Sequence, residues 1–132
     1  MKPVAVGTAH TRSFATVPEQ SAAATGNTGI DVVSSVTLIG FIEYACYEII
    51  APSFEAGEAS VGVGFNLTHV APAPIGAPIT VTARLIRIEG RKYDFETEAR
   101  AGERLLMTGT HQRAIVDLAR FGPEERARKS AR

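Results

Sequence analysis

The sequence predicts an α+β protein in which an antiparallel β-sheet wraps around one long, buried helix. The run from Val36 to Ile50 is almost wholly apolar around its helical circumference, which is typical of a helix covered on all sides. From Val61 onwards the apolar residues instead recur at every second position, the period of β-strands. A single small sheet does not cover such a helix completely. We therefore expect a second copy of the chain to close the open side and form a homodimer.

The segments on either side of the helix predict how it begins and ends. Residues 4–17 carry scattered β-forming side chains and predict a first strand, whereas the small and polar residues 18–29 are typical of a mobile loop. Ser34 or Ser35 can cap the helix, because a serine oxygen accepts hydrogen bonds from the free N–H groups of the first turn. Pro52 predicts its end, since the residue before a proline avoids the helical conformation.

Four consecutive antiparallel strands are predicted after the helix. The first alternates apolar residues with small or polar ones, and the side that we expect to face the core comprises Val61, Val63, Phe65, Leu67 and His69.

The next strand begins at Ile79, and the break in its alternation at Leu85 and Ile86 predicts a bulge. Short turns then separate two further strands, residues 92–99 and 105–118.

Length and composition narrow the possible functions. The 132 residues suit one domain, which we assign to residues 1–122, with a charged and flexible tail at 123–132. Lys plus Arg and Asp plus Glu balance at 14 each, so the chain lacks the basic surface of a nucleic-acid binder. The apolar run would span about 22 Å as a helix, shorter than a bilayer core of about 30 Å, so no membrane span is predicted.

The same features set expectations for location and cofactors. The N-terminal residues contain no apolar stretch of signal-peptide length, which favours a cytoplasmic protein. The single cysteine cannot form an internal disulfide, and no Cys/His spacing is typical of a zinc site. We therefore predict neither a metal nor another cofactor. There is also no G-x-S-x-G, phosphate loop or dinucleotide fingerprint, which excludes most common enzyme classes.

Glu43 is the most informative residue, because it is a charge in the middle of the apolar helix. Its neighbours three and four positions away are Ile39, Gly40, Cys46 and Tyr47. An ionised carboxylate in such surroundings is costly unless something pairs with it, and active sites contain groups of this kind. The alternative is a carboxylate that pairs with an arginine or reaches solvent at a helix edge. The residues alone leave both interpretations open.

His69 is the second candidate, because it continues the core-facing side of its strand. Taken alone, a histidine there is more often a hydrogen-bonded core residue than a catalyst. Beside a buried glutamate, however, each group would influence the protonation of the other. Gly62 and Gly64 lie on the opposite side of the predicted strand, where glycine permits close approach of the backbone to the helix or to a ligand.

Four other reactive residues are interpreted as structural. His10, His111 and Arg113 are expected to be polar residues of the strand surface or contacts of a dimer. Cys46 is expected to be a small buried filler, because no basic residue lies near it in sequence to activate the thiol.

The helix, the strands and their turns together resemble the fluoroacetyl-CoA thioesterase-like group of hotdog-fold proteins. The resemblance spans about Ile30 to Phe121 and rests on the helix glutamate in GFIEYACYEII, the V-G before the strand, T-H followed by P-x-G, the E-G-R hairpin and G-T-H-x-R. Each motif is weak alone, but the set is specific. It implies a hotdog fold that works as a homodimer or larger assembly, with active sites at the subunit interface. It also implies hydrolysis of a small or medium acyl-CoA thioester.

The resemblance further implies roles for single residues. Glu43 falls on the catalytic glutamate of the family and His69 on its catalytic histidine. Ser35 falls where the fluoroacetyl-CoA enzyme has a catalytic threonine, and Gly62 on a glycine whose N–H is suited to holding the thioester carbonyl. Glu43 would attack or act as a base, and His69 would transfer the proton. Ser35 either orients a partner, across the dimer, or only caps the helix.

One departure from the family bears on the substrate. The segment before the helix, AAATGNTGIDVV, contains no aromatic residue, whereas the fluoroacetyl-CoA enzyme has a bulky aromatic lid there. This argues against fluoroacetate specificity and for a different, larger acyl group. The alternative function is a non-catalytic hotdog module that binds acyl-CoA or a related ligand, although binding alone requires neither Glu43 nor His69. A hotdog hydratase would need a differently placed Asp/His arrangement, which we do not find.

Overall fold

The computed structural model describes residues 1–121, and the predicted tail at 123–132 lies outside the described residues. The described chain forms one α-helix and five β-strands. In chain order these are β1 (Ala9–Phe14), α1 (Ser35–Ile50), β2 (Glu58–His69), β3 (Ile79–Glu89), β4 (Lys92–Ala101) and β5 (Arg104–Asp117). The predicted order is therefore confirmed, with a first strand shorter than residues 4–17.

The start of α1 decides between the two serines that could cap it. Ser34 is the cap, because its Oγ accepts a hydrogen bond from the Thr37 N–H at 3.1 Å. Ser35 is the first helical residue, and its side chain is free to make a different contact. At the other end a short 3₁₀ turn, Ala51–Ser53, contains Pro52 and ends the α-helix as predicted.

One face of α1 packs against the sheet. Its buried residues are Leu38, Ile42, Ala45, Cys46, Ile49 and Ile50. Together with the 3₁₀ turn, the helix forms a 19-residue stretch that is apolar enough to cross a membrane on length and composition. Its contacts with the sheet are those of the predicted core helix.

The five strands form one antiparallel sheet in the order β1-β3-β4-β5-β2. In the register of β3 with β4, the partner of Leu85 is Phe95 and that of Arg87 is Asp94, so Ile86 is the extra residue. This confirms the bulge predicted at Leu85 and Ile86. β2 lies at the edge of the sheet and pairs with β5 on one side only among the described strands.

A second bulge, in β2, was not predicted and changes which side chains face the helix. Gly62 pairs with Arg113 and Gly64 with Gln112, so Val63 is an extra residue without a partner. The predicted uninterrupted alternation is therefore wrong in the first half of the strand. Val61 and Val63 are exposed by 37% and 49%.

The bulge also reverses the predicted position of Gly62. This glycine, expected on the side away from the core, faces the helix, and a Cβ atom placed on it would meet Glu43. Beyond the bulge the prediction holds for Leu67, which packs against the core, and for His69, which contacts α1. Phe65 stacks on the buried His111 but is itself 49% exposed. Two residues seven positions apart, Gly62 and His69, thus share the helix-facing side of the same edge strand.

The two serines at the start of α1 should differ in their effect on stability. Ser34→Ala removes the acceptor for the Thr37 N–H, and we expect a loss of about 1 kcal/mol in the free energy of unfolding. Ser35→Ala is the matched control and should cost less, because Ser35 satisfies no backbone group of the helix. Urea denaturation of both variants measures the difference. An equal or larger loss for Ser35→Ala would contradict the assignment of Ser34 as the cap.

Candidate active site

The carboxylate of Glu43 contacts a buried arginine. Arg113, on β5, donates from Nη1 to Glu43 Oε2 at 3.3 Å. The side chain of Arg113 is only 8% exposed, whereas that of Glu43 is 39% exposed. Glu43 is therefore both paired and open to solvent, as its simpler interpretation held. The interpretation of Arg113 as a residue of the strand surface is wrong, because its guanidinium is enclosed between β2, β5 and α1. The alternative, a contact of the dimer, stays a prediction.

Three further contacts hold the guanidinium of Arg113 in place. Its Nε donates to Ser60 Oγ at 2.9 Å, and its Nη2 donates to the Ser60 carbonyl oxygen at 3.1 Å. Its Nη1 also lies 3.2 Å from Nε2 of His111. The side of the group towards α1 packs near the ring of Tyr47, with 5.9 Å between Cζ and the ring centroid. The arginine thus presents its charge to Glu43 from a fixed position.

His111 is buried as well, in contrast to its interpretation as a surface residue. It is 1% exposed, and its Nδ1 lies 2.9 Å from the carbonyl oxygen of Gly64. The ring of Phe65 stacks on it, with 4.5 Å between the ring centroids. Burial, with a further contribution from the charge of Arg113, lowers the pKa of His111 below its ordinary value.

Gly62 leaves the space that the Glu43 carboxylate occupies. A Cβ atom at this position would lie 2.8 Å from Glu43 Oε2 and 3.1 Å from atoms of His111 and Phe65. A side chain of any kind would therefore displace the carboxylate or its neighbours. We call Glu43, Gly62, His111 and Arg113 the Glu43 cluster.

The other two predicted residues meet each other elsewhere. Ser35 Oγ lies 2.7 Å from Nδ1 of His69, so the start of α1 and the end of β2 are joined by one hydrogen bond. Nε2 of His69 is buried, and no atom of residues 1–121 bonds to it. Buried polar atoms in native proteins normally have a partner. The hydrogen bonding of a single chain therefore does not account for a histidine at this position.

Within one chain, the Glu43 cluster and the Ser35–His69 pair are separate. Ser35 precedes Glu43 by eight residues, which is about 12 Å along a helix axis. A cleft of about 490 Å³ beside the carboxylate is lined by Gly40, Glu43, Tyr44, Tyr47 and Arg113. Neither member of the Ser35–His69 pair lines this cleft. The chain by itself supplies two parts of a site, not a single cavity.

The remaining candidates have the structural roles predicted for them. His10 lies on β1 with its Nε2 3.3 Å from Oε1 of Glu48, at the surface of α1. Cys46 is fully buried, and this burial raises the pKa of its thiol to about 12. Neither residue contacts the Glu43 cluster through a hydrogen bond in the described part of the chain.

Comparison with known proteins identifies the family to which this arrangement belongs. The family model described as fluoroacetyl-CoA-specific thioesterase (FlK) matches residues 17–119. The fluoroacetyl-CoA thioesterase of Streptantibioticus cattleyicolor is 36% identical over 101 residues, which are 76% of this chain and 73% of that protein. The chain belongs to the fluoroacetyl-CoA-specific thioesterase family.

Solved structures agree with membership of the FlK family. A structure of FlK with serine in place of a threonine, in complex with acetyl-CoA, matches with a TM-score of 0.89 at 30% identity and covers 98% of this chain and 100% of that one. A Thermus thermophilus hypothetical protein, described as a thioesterase superfamily member, matches with a TM-score of 0.88 at 25% identity over 99% and 97% of the two chains. The resemblance and the α+β hotdog fold are thus confirmed, and the protein is a thioester hydrolase of the acyl-CoA class.

Removal of the guanidinium should destabilise the fold. Arg113→Met leaves the buried Nε2 of His111 and the oxygens of Ser60 without their donor, so we expect a loss of about 2 kcal/mol in the free energy of unfolding. The matched control is Arg12→Met, because Arg12 also pairs with a glutamate of α1, Glu48, but at the protein surface. Urea denaturation should show a much smaller loss for the control. Equal losses would mean that the burial of Arg113 has no energetic consequence.

Proposed function

We propose that the protein hydrolyses a small or medium acyl-CoA thioester to the free acid and CoA, with Glu43 and His69 as its catalytic residues. The observation that carries the proposal is the carboxylate of Glu43, which lies in an open cleft against both a glycine and a fixed guanidinium. Membership of the thioesterase family supports the reaction class. The solved complex of FlK with acetyl-CoA, in a variant that carries serine for threonine, supports acyl-CoA as the substrate class.

The chemistry follows from what a thioester requires. Its carbonyl carbon must be attacked by a nucleophile or an activated water, and the oxygen needs a donor as negative charge develops on it. Glu43 attacks the carbonyl carbon or removes a proton from the attacking water. The N–H of Gly62 donates to the developing oxyanion. The C–S bond breaks, a C–O bond forms, and His69 delivers a proton to the departing thiolate of CoA. Where Glu43 itself is the nucleophile, a water molecule then cleaves the mixed anhydride, which releases the free acid and restores the carboxylate.

Pairing of two copies along β2 would bring the two parts of the site together. Residues opposite each other in an antiparallel pair point to the same face of the sheet. Because the extra residue Val63 takes no place in the ladder, Asn66 lies midway between Gly62 and His69. If the two-fold axis passes beside Asn66, each Gly62 stands opposite the His69 of the other subunit. The Ser35–His69 pair of one subunit then lies beside the Glu43 cluster of its partner. In this arrangement Ser35 orients the ring of His69 through its hydrogen bond.

The edge of the sheet supports this homodimer. β2 is twelve residues long and unpaired on its outer side among the described strands. Its exposed apolar side chains include Val61, Val63 and Phe65. A long apolar edge of this kind invites pairing with another chain and is normally covered in a native protein. Symmetric pairing with a second copy covers it in both subunits at once.

The acyl group is expected to be larger than fluoroacetate. Residues 22–33 close into turns, with hydrogen bonds from Ala22 N–H to Val32 O and from Ala23 N–H to Ile30 O, and they carry no aromatic ring. Aromatic side chains come instead from β1 and α1. Phe14 and Phe41 stack at 4.2 Å and line a second cleft that shares Tyr44 with the one at Glu43. This apolar surface suits an alkyl or aryl acyl chain.

Release of free thiol from a panel of acyl-CoAs tests the function. We expect Glu43→Gln and His69→Asn to lower kcat at least about 100-fold, the range typical of general acid–base groups. Glu48→Gln is the matched control on the same helix and should stay within about twofold, since Glu48 pairs with His10 and Arg12 at the surface. A wild-type protein that binds acyl-CoAs but releases no thiol would be the non-catalytic module instead.

Mixing of two inactive variants tests the shared site. In a heterodimer of Glu43→Gln with His69→Asn, one site carries both substitutions and the other carries neither. Random exchange of subunits should therefore restore about a quarter of the wild-type activity, since half of the dimers are mixed and each has one intact site. Ser35→Ala should behave like His69→Asn in this experiment. No recovery in demonstrably mixed dimers would show that each site lies within one subunit.

A further inference from the structure

A buried histidine that takes no part in the proposed reaction lies directly behind Arg113. His111 does not hydrogen bond to Glu43 in the described chain, and its ring is almost completely enclosed. Nevertheless, both of its nitrogens have specific neighbours, Gly64 on β2 and Arg113 on its own strand. A core position filled only for packing would more often carry an apolar side chain.

The identity of these neighbours determines which nitrogen carries the proton. A guanidinium has N–H donors and no acceptor, so the Nε2 of His111 must accept from Arg113 Nη1. The hydrogen is therefore on Nδ1, which donates to the Gly64 carbonyl oxygen. A proton on Nε2 would instead bring an N–H group of His111 against an N–H group of Arg113, and two donors cannot form a hydrogen bond. The ring is thus neutral, with one nitrogen as an acceptor and the other as a donor.

The two contacts of His111 connect the two features that surround Glu43. On one side, Arg113 Nη1 is shared between His111 Nε2 and Glu43 Oε2. On the other, Gly64 belongs to the β2 bulge that turns Gly62 towards the carboxylate. An atom of the His111 ring would lie 3.1 Å from a Cβ at Gly62, so the ring also limits how far this backbone can move.

We propose that His111 is a positioning residue of the active site. It holds Nη1 of Arg113 against Glu43 and holds the bulge so that Gly62 stays beside the same carboxylate. This role rests on the proposed function, because it is defined by the placement of Glu43. The long arginine side chain has several rotatable bonds, and its contacts to Ser60 involve only Nε and Nη2. Because the guanidinium is planar and rigid, these two contacts leave it free only to tilt about its Nε–Nη2 edge, and His111 limits this tilt at the nitrogen that reaches Glu43.

Two substitutions separate hydrogen bonding from packing. His111→Phe keeps an aromatic ring against Phe65 but removes the acceptor for Arg113, and we expect kcat to fall roughly 10- to 100-fold with a smaller change in KM. His111→Gln offers an amide oxygen to Arg113 and should recover most of the loss. His10→Phe is the matched control and should change kcat less than about twofold. Equal losses in the Phe and Gln variants, both folded by circular dichroism, would overturn the proposal.

A double substitution tests whether His111 acts through Arg113. If it does, His111→Phe should lower kcat by less than about twofold further when Arg113 is already methionine, because the interaction is then absent. Arg113→Lys replaces Arg113→Met in this cycle if the methionine variant does not fold. A full, multiplicative loss would overturn the action of His111 through Arg113 while leaving the thioesterase function intact. If the wild type cleaves no acyl-CoA, the proposed function fails and the positioning role fails with it.

A spectroscopic measurement tests the contact without any turnover. Imidazole ¹⁵N chemical shifts at neutral pH should show the nitrogens of His111 as a protonated Nδ1 and an unprotonated Nε2. The Arg113→Met variant should perturb the Nε2 signal of His111 and leave that of His10 unchanged. A wild-type His111 that is doubly protonated, or that carries its proton on Nε2, would overturn the proposal.

Discussion

A buried guanidinium must find acceptors for its N–H groups, and this requirement organises the centre of the molecule. Arg113 satisfies it with the hydroxyl and carbonyl oxygens of Ser60, the Nε2 of His111 and the carboxylate of Glu43. These groups come from β2, β5 and α1, so one side chain joins three elements. The carboxylate is the member of the group that solvent reaches. The compensation of a buried positive charge therefore leaves a carboxylate at the surface of the helix.

Because of its bulge, the edge strand β2 contributes to one part of the proposed site with its first half and to the other part with its second half. In its first half, up to the extra residue Val63, the strand exposes Val61 and Val63 to solvent, and Gly62 faces the carboxylate of Glu43. Beyond it, the inward side carries His69 towards Ser35 at the start of α1. One strand therefore serves both parts of the proposed site, and these parts lie at a spacing that a two-fold axis can bring into register. In this arrangement, dimerisation and catalysis depend on the same backbone.

Local sequence patterns predicted the elements well and the tertiary contacts less well. The helix and the order of the elements along the chain followed from periodicity. So did the bulge of β3, because a phase break between apolar residues is visible there. The bulge of β2 leaves no such phase break, because Gly62 and Gly64 flank the extra valine and glycine does not reveal which side of a strand faces the core.

The burial of two polar residues is not visible in the alternation of the last strand. Alternation treats polar side chains as outward and therefore predicts surface positions for His111 and Arg113. Their burial depends on contacts with Ser60, Gly64 and Glu43, which are distant in sequence. The G-T-H-x-R motif of the family resemblance is the sequence signal that contains both residues. The catalytic roles of Glu43, His69, Ser35 and Gly62 stay predictions.

The buried thiol of Cys46 matters to an enzyme that releases a thiol. Cys46 follows Glu43 by three positions on the same helix, so a reactive sulfur there could capture the acyl group by exchange with CoA. Burial raises the pKa of this thiol to about 12, so the sulfur stays protonated at neutral pH. A buried, protonated sulfur is a poor nucleophile, so Cys46 does not compete for the acyl group. The same burial keeps the protein itself from reacting with thiol-detecting reagents, so the colour formed in such an assay reports released CoA.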